Sequence, residues 1–410
     1  MARLRPWPPG QRLVARQTRG KEPLIIWTFH LASFVVVRLT DGFRGLDPGG
    51  AWRGPLRWEI CYNLTMLRLL SYSLDLCADM RSGKCAEDGK LIQRPPASGR
   101  ERRRTPLPNP EQDYGLLNYL AYIFYPPLYL AGPILPFRDY AWQRRAQRLP
   151  GRAPPEAPTS AAVWRYAARL GADLACLELL THVLFFNSLA KHRIGSRYAA
   201  YGLRHDALTV MLTGWWVLTF MWLKFATIWR LFRLAALLDG VEAPENMPRC
   251  FANNYDVEGF WKSWHSSFNL WLVQYLYVPL GGNRRRTLNI WPIFLFVALW
   301  HDLELRMLAW SWLVCLFFMP ELLVKAAARR AQLADKPYWR HLCAAGGAVN
   351  IAGLMIVNFT GFVLGPEGLL PFLNELTHSP GSIVACLVVF FAATQIMFEL
   401  RRVEKKDVRG

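Results

Sequence analysis

Apolar residues in this chain are gathered into blocks rather than spread evenly. A helix needs ~20 predominantly apolar residues to cross a bilayer. The clearest blocks are 207–223, 342–364 and 381–398, with shorter or interrupted ones at 24–37, 161–186, 288–300 and 307–324. The pattern predicts an all-α polytopic membrane protein with roughly seven to nine membrane segments. The membrane domain is expected over residues 24–400, between a basic cytosolic N-terminus, 1–23, and a basic tail, 401–410.

One further block, 58–77, carries Asn63, Arg68 and Asp75 in an otherwise apolar pattern. Polar groups at membrane depth are costly, so they face a cavity or one another. Arg68 and Asp75 share one face of the predicted helix, two turns apart. The pattern leaves two interpretations open, structural ion pairs with other segments or a functional role.

An apolar segment, 114–137, lies between two basic polar loops, 79–112 and 138–160. Pro126-Pro127 and a later Gly-Pro pair are expected to break a helix there. A single crossing would place the two basic loops on opposite sides of the membrane, against the charge rule. We therefore predict a re-entrant segment. Such a backbone needs surrounding protein or a cavity, so 114–137 is a candidate cavity wall.

The stretch 260–282, FWKSWHSSFNLWLVQYLYVPLGG, mixes bulky aromatic residues with polar ones. Its large apolar residues recur at steps of three and four, which predicts an amphipathic helix. They are Trp261, Trp264, Phe268, Trp271, Leu272 and Tyr275. His265 lies beside this stripe, a Gly-Gly pair ends the helix, and three arginines follow at 284–286. We expect a membrane-surface or re-entrant element whose arginines bind either phosphates or lipid headgroups.

A second histidine, His301, follows the apolar block 288–300 directly and precedes Asp302. An ionisable residue at such a depth is a candidate functional residue. The simpler alternative is a buried histidine that donates to a backbone carbonyl. Asp302 would point about 100° away on a helix, so it is not expected to orient the ring. His265 and His301 are therefore the two candidate site histidines.

Charge and cysteine use narrow the class of protein. The net charge is +19, but the basic residues cluster between apolar blocks, which indicates cytosolic loops and anionic headgroups rather than nucleic acid. The eight cysteines show no CxxC or CxxH spacing, so we expect neither a disulfide framework nor a zinc site. No nucleophile elbow, phosphate-binding glycine loop or HExxH zinc helix occurs. No resident metal is expected.

The runs FWKSWHSSFNLWLVQYLYVPLGGNRR and FLFVALWHD resemble the membrane-bound O-acyltransferase superfamily. YNLTMLRLLSYSLD (62–75) and YIFYPPLYLAGPILPFRDY (122–140) precede them in the family's order. The likeness covers residues 55–400 and is greatest to the branch of fungal glycerol uptake proteins and hedgehog acyltransferase. The family has more N-terminal membrane helices than the residues before position 55 can hold. We therefore expect either a late start of the sequence or a missing helix pair.

The resemblance implies a bundle of helices with re-entrant segments around a tunnel. Acyl-CoA enters such a tunnel from the cytosol, and the acceptor reaches it from the other side or from the bilayer. The family's catalytic histidine falls on His301. Its second site position, Asn, Asp or His depending on the branch, falls on His265. A histidine there favours the glycerol uptake branch, which is associated with acylating the lyso form of GPI anchors in the endoplasmic reticulum.

The chemistry of thioester acyl transfer suits these residues. Taking a proton from a hydroxyl requires a base near neutral pKa, and the ordinary value of histidine is ~6.5. His301 is the expected base, and His265 is expected to donate to the oxyanion or to hold the acceptor. Arg284, Arg285 and Arg286 are expected to bind the CoA phosphates. Acyl-CoA is the expected donor, with no permanently bound cofactor.

Several functions remain open at this point. The main expectation is an acyl-CoA-dependent O-acyltransferase of the endoplasmic reticulum membrane that acts on a lyso-GPI or other lysolipid. The alternatives are a protein acyltransferase of the hedgehog type, a membrane protein associated with glycerol transport, and a catalytically inactive scaffold.

Overall fold

The computed structural model describes residues 22–40, 58–81, 111–147, 159–186, 188 and 207–407. The predicted basic N-terminus, 1–23, and the predicted loop 79–112 lie largely outside these ranges. Regular secondary structure within them is helical, without a strand.

The described part contains fourteen α-helices, joined by a few turns of 3₁₀ and π-helix. They are α1 Glu22–Leu39, α2 Trp58–Arg81, α3 Leu116–Ile123, α4 Pro126–Tyr129, α5 Phe137–Gln147, α6 Ser160–Val183, α7 Ala207–Leu238, α8 Val257–Ser263, α9 Ser266–Leu272, α10 Arg286–His301, α11 Leu305–Arg330, α12 Trp339–Phe362, α13 Gly365–His378 and α14 Pro380–Asp407. Each of the seven apolar blocks from 24–37 to 381–398 lies mainly on one of these helices. The predicted tail, 401–410, begins as the last turns of α14.

Four of the described helices are long and apolar enough to cross a membrane. These spans are Leu208–Leu238, Leu305–Arg330, Trp339–Phe362 and Pro380–Glu404. The larger number predicted from the sequence includes blocks that are shorter or more polar, such as α10 with 16 residues and α2 with its buried Arg68. The all-α polytopic class is confirmed.

The chain divides into two compact units. The first comprises residues 1–168 and 228–245, and the second comprises 169–227 and 246–410. Both candidate histidines belong to the second unit.

The polar residues of α2 hold backbone groups of the first unit. Arg68 Nη1 donates to the carbonyl oxygen of Ile123, the last residue of α3, at 3.0 Å. Asp75 Oδ2 accepts from the backbone N–H of Arg138 at 3.0 Å. Backbone groups in the first and last turns of a helix lack partners within the helix, so buried ones need such contacts. These contacts favour the structural interpretation of Arg68 and Asp75 over a functional one.

The helix in segment 114–137 is broken at Pro126-Pro127, as the sequence predicts. α3 has only eight residues, which is about 12 Å of helix, far short of the ~30 Å of a bilayer core. α4 begins with Pro126, and the chain then turns back over it at Gly132, where any side chain would collide with the carbonyl oxygen of Pro127. The break is confirmed, and re-entry into the membrane stays a prediction.

The predicted loop 138–160 is partly helical. Its first residues form α5, Phe137–Gln147. Phe137 and Tyr140 are buried in an aromatic cluster of the first unit, and this packing stabilises a helix in spite of the basic composition.

In the second unit, α11 links the helices that carry the candidate site. Ser311 Oγ on α11 donates to the carbonyl oxygen of Phe294 on α10 at 2.5 Å. Further along α11, Glu321 Oε2 accepts from the backbone N–H of Val257 at the start of α8 at 2.6 Å. These contacts tie the middle of α10 and the start of α8 to the same helix, α11.

Candidate active site

His265 lies at a break between two short helices. α8 ends at Ser263, α9 begins at Ser266, and His265 has φ 46° and ψ 51°, in the left-handed region. The continuous amphipathic helix predicted for this stretch is therefore wrong. The aromatic stripe is present, but the N–H groups after His265 do not bond to the preceding turn.

Asn246 accepts hydrogen bonds from the backbone N–H groups of the two residues after His265, Ser266 and Ser267. Its backbone oxygen accepts from Ser266 at 2.9 Å, and its side-chain Oδ1 accepts from Ser267 at 3.0 Å. The Asn246 side chain is fully buried, with 0% exposed. Sequence reasoning missed Asn246, because nothing in the run PENMPR marks a residue that contacts a segment about twenty positions later.

The structure brings the two predicted histidines together on one indole. The ring of Trp300 lies 5.9 Å from that of His265 and 4.9 Å from that of His301, between ring centroids. Phe268 packs on the same indole at 4.4 Å. The histidines come from different elements, His265 from the break before α9 and His301 from the last residue of α10.

The two histidines differ in accessibility. His265 is buried, with 9% of its surface exposed, whereas His301 is exposed. Protein atoms nevertheless surround His301 closely enough that burial lowers its pKa, against the opposing charge of Asp302. His301 thus has an exposed surface in an otherwise desolvated setting.

Both imidazoles lie outside the four candidate membrane spans. Burial lowers the pKa of His265, and the neighbouring His301 lowers it further. Because both values fall below the ordinary ~6.5 of histidine, both rings are neutral at pH 7. A neutral imidazole accepts a proton, as a general base requires.

Asp302 ends α10 in an extended conformation. Its Oδ1 accepts from the backbone N–H of Leu303 at 2.8 Å.

The structure separates the three arginines after the Gly-Gly turn. Arg286 pairs with Glu258 on α8 at 2.6 Å, whereas Arg284 and Arg285 are exposed. Burial acts to raise the pKa of Glu258, but the hydrogen bonds and charges of Lys262 and Arg286 lower it to about 2. Glu258 is therefore ionised at neutral pH, and Arg286 has a partner within the protein.

Three carboxylates approach within 4.8 Å of one another beside α8, those of Asp256, Glu258 and Glu321. Lys325 Nζ lies 2.7 Å from Asp256 Oδ2 and 2.7 Å from Glu321 Oε1. Asp256 also caps α8 by accepting from Gly259 N at 3.2 Å. With lysine and arginine already among them, these carboxylates form an ion-pair cluster that anchors α8, and they do not suit a metal.

The fold and the site define a polytopic helical membrane protein with two neutral histidines on one indole. The sequence model of the membrane-bound O-acyltransferase family, MBOAT, matches residues 21–364. The chain belongs to the membrane-bound O-acyltransferase family.

The chain is similar to fungal members of that family along most of its length. It is 35% identical to membrane-bound O-acyltransferase GUP1 of Saccharomyces cerevisiae, over 96% of this chain and 70% of that protein. It is 36% identical to the gup1 protein of Schizosaccharomyces pombe, over 94% of this chain and 66% of that protein. It is 25% identical to the mouse protein-cysteine N-palmitoyltransferase HHAT, over 47% of this chain and 37% of that protein. The resemblance found in the motifs is confirmed.

Proposed function

We propose that this protein transfers a long-chain acyl group from acyl-CoA to a hydroxyl of a lipid acceptor, the lyso form of a GPI anchor, in the endoplasmic reticulum membrane. The observation that carries this proposal is the meeting of His265 and His301 on Trp300 in the second unit. Two neutral imidazoles from separate elements supply a base and a second polar group for one reacting centre.

The proposed reaction is a direct acyl transfer. A ring nitrogen of His301 takes the proton of the acceptor hydroxyl, whose oxygen attacks the thioester carbon. The new C–O bond forms and the C–S bond breaks. The sulfur of CoA leaves as a thiolate and takes the proton back from His301, so the base is restored without a metal or redox partner.

The relatives and the residue at position 265 support a hydroxyl acceptor. The fungal relatives are named O-acyltransferases, and their similarity to this chain is higher and longer than that of the mouse N-palmitoyltransferase. The resemblance implies an Asp in hedgehog-type enzymes at the position where this chain has His265. Both points support a hydroxyl acceptor of the glycerol uptake branch over a protein amine.

Acylation of a defined lipid tests the proposal. Membranes that contain the protein are incubated with radiolabelled acyl-CoA and either lyso-GPI or a lysophospholipid. We expect labelled product with lyso-GPI, and a 10² to 10⁴-fold lower rate, to order of magnitude, in His301→Ala. His341→Ala, at an exposed histidine of α12, is the matched control. A transport-associated protein or a scaffold gives no labelled lipid, and labelling of the lysophospholipid alone contradicts the GPI acceptor.

A further inference from the structure

Two buried indole N–H groups lie in the second unit without a hydrogen-bond acceptor among the described residues. They are Nε1 of Trp261 on α8 and Nε1 of Trp310 on α11. By contrast, Trp222 Nε1 donates to the carbonyl oxygen of Arg249 at 3.2 Å. A buried indole N–H usually finds an acceptor, because its desolvation is otherwise uncompensated. Two such donors in one region indicate that something outside the described protein supplies the acceptor.

Both donors belong to the ring cluster that holds His301. The ring of Trp310 lies 6.1 Å from that of His301 and almost perpendicular to it, at 87°. Trp261 packs on Trp310 with 5.8 Å between ring centroids. The side chain of Trp310 is 4% exposed. The indole of Trp310 therefore neighbours the imidazole of His301, and the indole of Trp261 is the next ring of the same cluster.

The indole of Trp310 is held by a close approach that only glycine allows. A β-carbon at Gly361 on α12 would lie 2.6 Å from Cδ1 and 3.2 Å from Nε1 of Trp310. The five-membered ring of the indole thus packs directly on the α12 backbone at Gly361. On the other side, Trp261 packs against Phe294 of α10 at 4.9 Å. Neither ring can turn its N–H away without disturbing a packed neighbour.

We propose that the N–H groups of Trp310 and Trp261 donate to the thioester carbonyl oxygen of acyl-CoA and stabilise the oxyanion that forms there. This inference rests on the proposed acyl transfer. As the acceptor oxygen bonds to the thioester carbon, the carbonyl π electrons move to oxygen, and they return when the C–S bond breaks. Donors that are fixed before the reaction stabilise this charge without reorganising.

Indoles suit this role better than the second histidine. An indole N–H is a donor only, at every pH at which proteins fold, whereas a neutral imidazole nitrogen either donates or accepts. Assigning the oxyanion to the two tryptophans leaves His265 to hold the acceptor. His301 then acts as the base, His265 holds the acceptor, and the two tryptophans stabilise the oxyanion.

Removing a single N–H while keeping the ring tests the proposal. Trp310→Phe and Trp261→Phe each delete one donor, and Trp312→Phe on α11, at a side chain that is 48% exposed, is the matched control. We expect kcat to fall about 10²-fold in each of the first two variants. We expect Trp312→Phe to keep wild-type kcat.

Inhibitor pairs distinguish a lost hydrogen bond from disturbed packing. A ketone analogue of acyl-CoA, with methylene in place of sulfur, keeps the carbonyl oxygen, and a thioether analogue lacks it. Wild type is expected to bind the ketone more tightly by about tenfold or more, since each donor contributes a hydrogen bond. In Trp310→Phe and Trp261→Phe the ratio of the two inhibition constants should fall towards one.

An unchanged ratio in both variants overturns the assignment, and it indicates that an ordered water meets these N–H groups instead. The proposed function fails in a different way. If the protein does not use acyl-CoA at all, wild-type protein neither turns over acyl-CoA nor binds either analogue, and the oxyanion assignment fails as well. If only the lipid acceptor differs, the ratio of inhibition constants still tests the assignment. If Trp310→Phe does not accumulate in membranes, the ratio of the two inhibition constants in Trp261→Phe alone tests the assignment.

Discussion

The side-chain oxygen of Asn246 accepts a hydrogen bond from the backbone N–H of Ser267 at 3.0 Å, two residues after His265. The backbone oxygen of Asn246 takes the N–H of Ser266 in the same way. Together these contacts replace the helix hydrogen bonds that would continue through His265. A left-handed residue other than glycine costs ~1–3 kcal/mol and persists only where its surroundings hold it. Asn246 is therefore a positioning residue for His265.

Asn246→Leu removes this contact with little change in side-chain volume. We expect a lower kcat for acyl transfer, because losing a buried hydrogen bond costs about 1–3 kcal/mol and frees the backbone at His265. Asn246→Asp keeps an oxygen acceptor and should recover most of the lost rate. The assay measures kcat per amount of inserted protein. Equal loss in the Leu and Asp variants, or no loss in the Leu variant, contradicts the positioning role.

The backbone at position 265 also limits which residues can stand there. Asn, Asp and His adopt the left-handed region more readily than other side chains with a β-carbon. The position that resembles the family's Asn, Asp or His site is thus restricted by conformation as well as by chemistry.

We accordingly expect His265→Asn to melt in detergent close to the wild-type temperature. His265→Val should be less stable by about 1–3 kcal/mol, because a β-branched residue is strained in this conformation. Both variants should have reduced acyl transfer, since neither has an imidazole. Equal melting temperatures for the Val and Asn variants would show that the backbone relaxes at this position.

The helices and the broken segment 114–137 could be predicted because their signals are local. Apolar block length marks the long helices, and Pro126-Pro127 marks the break. The break at His265 has no such signal. Trp264 and Phe268 continue the spacing of the helix through it, and neither glycine nor proline interrupts the run. The break at His265 depends on the tertiary contact with Asn246, which overrides the helical spacing of the apolar residues.

In the candidate site, too, some residues could be predicted from the sequence and others only from the fold. His265 and His301 stood out because ionisable residues among apolar ones are unusual. The donors of Trp261 and Trp310 did not stand out, because an indole in an aromatic run is indistinguishable by sequence from one that only packs. Only the positions of possible acceptors in the fold identify their N–H groups as available.

The pH dependence of the rate should reflect the lowered pKa of His301. Burial favours the neutral ring, so the basic form that accepts the acceptor's proton persists below the ordinary ~6.5 of histidine. The rate should rise with pH and reach its plateau with an acid-side midpoint below ~6.5. The measurement is the acyl-transfer rate of the wild type at on the order of ten pH values between pH 4.5 and 8. A midpoint above ~6.5 contradicts a desolvated base at position 301.

The broken segment gives a prediction about topology. Because α3 is too short to cross a bilayer, the chain before and after 114–137 should lie on the same, cytosolic side. Cysteines introduced at Arg100 and Arg148, which lie outside the described residues, should react with an impermeant maleimide from the same face of sealed microsomes. The unmodified chain provides the background labelling. Reaction from opposite faces would show a single crossing.

The arginines after the Gly-Gly turn are expected to act in two different ways. Arg284 and Arg285 are exposed, and we propose that they bind the phosphates of CoA. The double variant with Gln at both positions should raise the KM for acyl-CoA and leave that for the lipid acceptor nearly unchanged. Arg286→Gln instead breaks the pair with Glu258, which is worth about 1 kcal/mol at such partly exposed sites. It should lower the amount of folded protein and leave both KM values alone. A normal KM for acyl-CoA in the double variant, together with poor insertion, would assign Arg284 and Arg285 to lipid headgroups instead.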